Sequence, residues 1–321
     1  EIRPRDWSSD VCSSDLTGFQ AVLRAVERGR TWVKLSAGFR LPSEQAALDC
    51  AAELLKSAGP ERLLWGSDWP FAAFESSMNY QQAVDGLARW VPDPADRWQI
   101  QLSGPPDLTV PSDVYELDPG NGAGQTTVAT IHDRGGHAVC YVSAGTREAW
   151  RRDAGRFPAA VVGRPDDGWP GERWLDIRRI DVLGPIMRDR LARCARLGYD
   201  AIDWDNVDGW SQRTGFPITR ADQRRYDRFL ARIAHRAGLA AVLKNDQAQA
   251  VALEPWIDAA VLEECVAYEE CALAAPFLAA GKPVIDIEYA GEPATACTVG
   301  AALGIQVIRK RLALGPAIER C

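Results

Sequence analysis

Residues 201–210 read Ala-Ile-Asp-Trp-Asp-Asn-Val-Asp-Gly-Trp. Leu197, Tyr199 and Ile202 form an apolar approach to three aspartates, an asparagine and two tryptophans, and the run is broken by Gly209. This is the pattern of a buried strand that delivers carboxylates to its open end. Residues two apart along a strand point the same way. Asp203 and Asp205 therefore share one direction, and Trp204 and Asn206 the other. Carboxylates beside indoles at a strand mouth suit protonation and displacement at a sugar ring.

The same habit repeats on both sides of this stretch. From Trp98 onward the spacing predicts strands at 98–102, 114–117, 138–142, 159–162 and 174–176, then at 201–204, 240–243, 259–262, 284–287 and 304–308. Helical stretches fall at 183–197, 220–237 and 269–280, with Thr219 as an N-cap and Asp222 in the first turn. Alternation of this kind argues for parallel strands in an α/β fold, a (β/α)8 TIM barrel over residues 98–321. Polar residues follow the strands: Asp118, then Ser143 and Gly145, then Asp205 to Asp208. Lys244 with Asn245 and Asp246 comes next, then Glu263 with Glu264, and Glu288 with Tyr289. Any one of these reads equally well as a solvated loop residue. Six strand ends with one habit point to a shared rim, where barrel enzymes carry their active sites.

Composition narrows the function. With 46% apolar and 25% charged residues, the 321-residue chain has the make-up of an ordinary globular protein. Its net charge of −7 argues against nucleic acid and allows a cationic partner. No run of apolar residues is long enough to span a membrane. No signal peptide is recognisable, but the chain starts at Glu1 without methionine, so that says little about export. The eight cysteines match no zinc spacing and only three histidines are present, which argues against a zinc site. No cofactor is expected. Cys265 and Cys271 can close a disulfide, which would mean an oxidising compartment, or stand as two reduced thiols near a strand end.

The first hundred residues have a different texture. Residues 6–16, DWSSDVCSSDL, have no helical or strand period and resemble the conceptual translation of a sequencing adapter. Residues 1–16 are accordingly expected to be an artefactual or disordered leader. Beyond them, helices are expected at 19–27 and 43–56 (Ser43 capping), and strands at 31–36 and 62–65. The stretches VKLSAGFR and LLWGSDWPF resemble the C-terminal part of the amidohydrolase-related metal-dependent barrels. In that family the aspartate at Asp68 faces the metal. The family's histidines from earlier strands are missing, and one aspartate cannot hold a catalytic metal. Residues 17–97 are therefore expected to be a non-functional fragment, so the chain reads as a chimera. The boundary falls near Pro92-Asp93-Pro94-Ala95-Asp96-Arg97.

Residues 98–321 resemble glycoside hydrolase family 114, the endo-α-1,4-polygalactosaminidase-like barrels. The segments WQIQLSG, VYELD, AVCYVSAG, ERWLDIR, PIMRDRL, YDAIDWDNVDGW, TGFPITRADQ, LKNDQAQ, LEECVAYEEC and DIEY carry the resemblance, in order and without a large gap. Trp204 stands where proline is usual. Leu262 stands where asparagine is usual before the glutamate, which puts one hydrogen bond in doubt. The resemblance implies Asp205 as nucleophile and Glu263 as acid/base in a retaining two-carboxylate hydrolysis, and a secreted or cell-envelope location. Asp203, Asp205's main rival, would lie one layer deeper as an orienting or substrate-binding acid. It also implies a polysaccharide of α-1,4-linked galactosamine, cationic where deacetylated. A rim of Asp118, Asp203, Asp208, Asp246 and Glu288 would attract such a chain, with Asn206 beside it. Tyr141, Trp150, Trp210 and Tyr289 can stack on sugar faces or serve packing. Lys244 can keep Asp205 ionised or form a buried structural pair. The alternatives are a metal-dependent amidohydrolase or decarboxylase, resting on the first segment, and a non-catalytic sugar-binding barrel.

Overall fold

Short strands that alternate between two apolar environments organise this protein, whose structure is a computed structural model. It describes residues 17–28, 31–36, 38–41, 44–58, 62–65 and 97–321. The chain separates into two compact units, Glu1–Asp93 and Pro94–Cys321.

In the first unit, α1 (Thr17–Glu27) and α2 (Glu44–Ala58) alternate with β1 (Val33–Leu35) and β2 (Leu63–Trp65). The two strands pair in parallel, Val33 opposite Leu63. Leu23, Leu35, Ala51 and Leu54 form their small core. These elements match the expected ones to within a few residues. Residues 6–16, Ser43 as a cap, Asp68 and the boundary at 92–96 lie outside the described residues.

The second unit carries eight parallel strands: β3 (Trp98–Gln101), β4 (Val114–Leu117), β5 (His137–Ser143), β9 (Ala201–Asp205), β10 (Ala240–Lys244), β11 (Ala259–Glu263), β12 (Val284–Glu288) and β13 (Gln306–Arg309). They neighbour one another in chain order, and β14 (Glu319–Arg320) adds an antiparallel edge to β13. The sheet curls until its first strand meets its last. Trp98 N donates to Gln306 Oε1 at 2.8 Å, Lys310 Nζ donates to Gln99 Oε1 at 2.8 Å, and Leu102 N donates to the Leu314 carbonyl at 2.9 Å. The fold is a (β/α)8-type barrel. Helices α3 (Gln125–Asp133), α4 (Ile180–Leu197), α5 (Arg220–Arg236), α6 (Ala250–Leu253), α7 (Ala275–Ala279) and α8 (Pro293–Leu303) lie in the connections. Thr219 and Asp222 close a reciprocal capping box on α5.

The two-residue period sorts side chains between layers. In β9, Ile202 and Trp204 join the core between sheet and helices, whereas Ala201 belongs to the barrel-interior core. Asp203 and Asp205 follow Ala201 up the inner face. In β10, Val242 and then Lys244 face inward, and Ala241 and Leu243 outward; in β11, Ala259, Val261 and Glu263 face inward, and Ala260 and Leu262 outward. Each strand is thus apolar inside at its start and charged inside at its end.

Two expected barrel strands are not in the barrel. Residues 159–161 form a 3-10 turn, and β7 (Val162–Pro165) and β8 (Glu172–Leu175) join β6 (Thr146–Glu148) in a separate antiparallel sheet. The link between β7 and β8 is too short for a parallel crossover, which takes a dozen residues or more. The helix expected at 269–280 is replaced by a 3-10 turn, Cys271–Ala274, and the short α7. Glu269 takes a positive φ of 58°, and Cys265 is joined to Cys271 across that turn. Cys140 is likewise joined to Cys194, and Cys297 to Cys321. Among the described residues no helix is long and apolar enough to cross a membrane.

Candidate active site

Three inward-facing residues at the ends of neighbouring strands β9, β10 and β11 meet at the rim. Lys244 Nζ lies 3.9 Å from Asp205 Oδ1 and 3.4 Å from Glu263 Oε1. Its side chain is only 1% exposed, so the ammonium is enclosed between the two carboxylates. Each carboxylate also accepts from a tyrosine. Tyr141 OH donates to Asp205 Oδ2 at 2.7 Å, and Tyr289 OH donates to Glu263 Oε1. Asn245 completes the hold on Glu263: its Oδ1 accepts from the Glu263 amide at 2.9 Å, and its Nδ2 donates to Glu263 Oε2 at 3.1 Å. Leu262, just before Glu263, packs outward into the core.

The backbone turns sharply just after each of these residues. Asn206, Asn245, Asp246 and Glu264 have φ of 59°, 56°, 52° and 57°. Asn and Asp tolerate this left-handed region better than most side chains, and such strain gathers at functional sites. Gly145 makes the turn after Asp205 possible, since a Cβ there would sit 1.6 Å from the Asn206 carbonyl oxygen. Asn206 then reaches sideways, donating from Nδ2 to Ser143 Oγ at 3.0 Å.

A cleft of about 380 Å³ opens above the rim, lined by Asp205, Asn206, Asp208, Lys244, Asn245 and Glu263, with Asp118 and Tyr141 on one side. The separate antiparallel sheet and its turns supply another wall, with Asp166, Trp169, Glu172 and Trp174. None of these four was anticipated. Their signal was present in Asp166 and Glu172 flanking a Trp-bearing turn, but 174–176 was expected to run inside the barrel.

Three acids expected to meet substrate do not reach the cleft. Asp203 is fully buried beneath the rim. Glu288 is 2% exposed and accepts from the backbone amides of Val266 at 2.9 Å and Ala267 at 3.3 Å, fixing the loop after β11. Asp246 is 5% exposed and accepts from Trp210 Nε1 at 2.7 Å and Gln249 Nε2 at 2.8 Å. A short carboxylate can serve substrate or its own fold, and position alone did not separate the two. Trp210 is taken up by that bond and by Arg220, whose guanidinium lies 4.1 Å over its ring. Asp118 does line the cleft, but Arg151 holds it at 2.7 Å.

The charges are sorted by burial and neighbours. For Glu263, burial favours the neutral form, but the Lys244 charge and the bonds from Tyr289 and Asn245 outweigh it and hold the carboxyl below its usual range. Burial works against the charge of Lys244 too, yet Asp205 and Glu263 raise its pKa well above the ordinary value. Burial, with Glu116 beside it, pushes the Asp203 carboxyl well above its ordinary value. On the cleft wall burial pushes Glu172 up to about 7 and Asp208 to about 6, with Asp205 adding to both.

The lysine-bridged acid pair stands on the C-terminal rim of a parallel barrel, where barrel enzymes carry their active sites. The sequence model of glycoside-hydrolase family GH114 matches residues 80–321. The chain belongs to glycoside hydrolase family 114. This GH114 protein is a glycosidase, and its substrate class is polysaccharide. It is similar to Ega3 of Aspergillus fumigatus, solved in complex with galactosamine, at 31% identity and a TM-score of 0.68, over 72% of this chain and 97% of that one. The glycoside hydrolase domain of PelA from Pseudomonas aeruginosa shares the fold, with a TM-score of 0.54 at 15% identity over 70% of this chain and 98% of that one. Ahead of the GH114 region and overlapping its start, an amidohydrolase family model matches residues 6–101. The chain is also 34% identical over 83 residues to a 4-sulfomuconolactone hydrolase of Rhizobium radiobacter, covering 24% of this chain and 28% of that relative's length.

Proposed function

We propose that this GH114 enzyme cleaves α-1,4-linked galactosamine-containing polysaccharide by a retaining mechanism, with Asp205 as nucleophile and Glu263 as acid/base. The observation that carries the reading is the enclosure of one lysine between these two carboxylates. Their facing oxygens can be no farther apart than the sum of the two lysine contacts. That range includes the roughly 5–5.5 Å of retaining enzymes and only the short end of the roughly 6.5–9.5 Å of inverting ones. Family membership and the likeness to a structure holding galactosamine support the substrate.

The division of labour follows from the environments. Asp205, held by Tyr141 and Lys244, is aimed at the anomeric carbon. Glu263 must carry a proton when the leaving oxygen departs. A sugar covering it deepens its burial, which favours the neutral form. Once Asp205 is esterified its charge is gone, and Lys244 is left with Glu263 alone, which suits Glu263 to act as base toward water.

Substrate charge follows from the cleft wall. Among the described residues, Asp166, Glu172 and Asp208 have no arginine or lysine within ion-pair distance, so ammonium groups of a deacetylated chain are their natural counter-ions. Residues 17–97 are proposed to take no part in this chemistry. The test is a product analysis by mass spectrometry on α-1,4-galactosamine polymers of graded acetylation. Shortening of the deacetylated polymer, with little change in the fully acetylated one, is expected. Equal cleavage of both would overturn the charge argument, and cleavage of neither would overturn the function.

A further inference from the structure

A second cavity, of about 410 Å³, opens beside the cleft and shares Asp118, Tyr141, Glu148, Trp150 and Arg151 with it. Its charge is inverted. The cleft is lined by seven carboxyl groups against two cations, whereas the second cavity sets six arginines against four carboxyl groups. Those four are committed: Arg151 takes Asp118 and Glu148 at 2.7 Å each, Arg190 takes Asp153 at 2.7 Å, and Arg156 takes Asp189 at 2.8 Å. Arg152, Arg193 and Arg196 have no carboxylate partner among the described residues, and Arg193 donates only to the Pro119 carbonyl, at 3.0 Å. Arg193 and Arg196 are three apart on α4 and so share a face. Trp150, 57% exposed, stands where the two cavities meet.

We propose that this cavity binds a hexuronate unit, its carboxylate taken by Arg193 and Arg196 and its ring stacked on Trp150. The volume suits a sugar-sized ligand. Guanidinium forks match a planar carboxylate, and an exposed indole offers the face a pyranose ring covers. The two cavities then read opposite charges along one glycan, hexosammonium in the cleft and carboxylate beside it. The proposal rests on the cleft being the polysaccharide site, but its test does not depend on turnover.

The experiment is titration calorimetry of the full chain at low salt with galacturonate, galactose and inorganic phosphate. It is repeated on Arg193→Ala/Arg196→Ala, whose two residues are exposed, and on Arg196→Glu. Galacturonate is expected to bind at least about tenfold more tightly than galactose, and to lose that advantage in both variants. Equal affinity for galacturonate and galactose, or binding unchanged in the variants, overturns the proposal. Phosphate binding without galacturonate binding overturns it as well, in favour of a free anion.

Discussion

Asn245 holds Glu263 twice, accepting from its backbone amide and donating to its carboxylate. The left-handed turn at Asn245 places both contacts on the residue that follows Lys244, so charge and orientation reach Glu263 from a single strand end. Asn245→Ala removes the orienting donor without touching the core. We expect kcat to fall on the order of ten- to a hundredfold, with a modest drop in melting temperature because alanine is strained at this positive φ. Steady-state kinetics beside a thermal melt checks this, and Asn245→Asp should be worse because it adds a like charge.

Asp203 and Asp205 point the same way but differ in burial. Asp203 is buried beneath the cleft and its burial favours the neutral form, so Asp203→Asn, a near-isostere that carries no charge, should leave measurable turnover. Asp205→Asn should lower kcat on the order of 10⁴-fold or more, as loss of a nucleophile does. Paired assays of the two variants test the assignment, and the opposite ranking would move the nucleophile to Asp203.

Lys244 depresses the Glu263 pKa across 3.4 Å. Lys244→Met takes away that influence and leaves burial, which pushes up. The limb of the kcat/KM profile set by Glu263 should shift to higher pH by on the order of one unit or more, with kcat reduced at every pH. An unshifted profile would show that the lysine serves structure alone.

The cleft acids predict a pH dependence of substrate affinity. Glu172 and Asp208, near 7 and 6, gain charge as pH rises through that range. KM for a deacetylated oligomer should fall over the same interval, and KM for an acetylated one should not. Stability runs the other way. Glu172 is raised from an ordinary 4.5, so the folded form keeps a proton the unfolded chain loses, and stability falls as pH rises between about 4.5 and about 7. Glu172→Gln should therefore melt higher than the parent above pH 7 and weaken binding of the deacetylated oligomer.

Much of this was legible in the sequence because strand period and strand ends are local signals. The alternation in Ala201–Asp205 gave both the outward core residues and the inward acids, and the same reading placed Lys244 and Glu263 on the rim. The wall formed by β6, β7 and β8 was not legible. Its strands have the apolar content of barrel strands, and only the shortness of the link between Pro165 and Glu172 distinguishes an antiparallel hairpin from a crossover. Nor could composition tell Glu288 and Asp246, which hold backbone and indole groups, from Asp208, which faces the cleft. That distinction depends on partners brought together from distant elements. Helices α3 and α8, rich in threonine, alanine or glycine, carry too weak an apolar stripe to be read locally.

The pairing of Asp205 and Glu263 is tested most directly by the anomeric configuration of the first product. Proton NMR of the wild-type enzyme acting on a deacetylated α-1,4-galactosamine oligomer should show the α-anomer appearing first and the β-anomer only as mutarotation proceeds. Initial release of the β-anomer would mean inversion, and would contradict Asp205 as a covalent nucleophile.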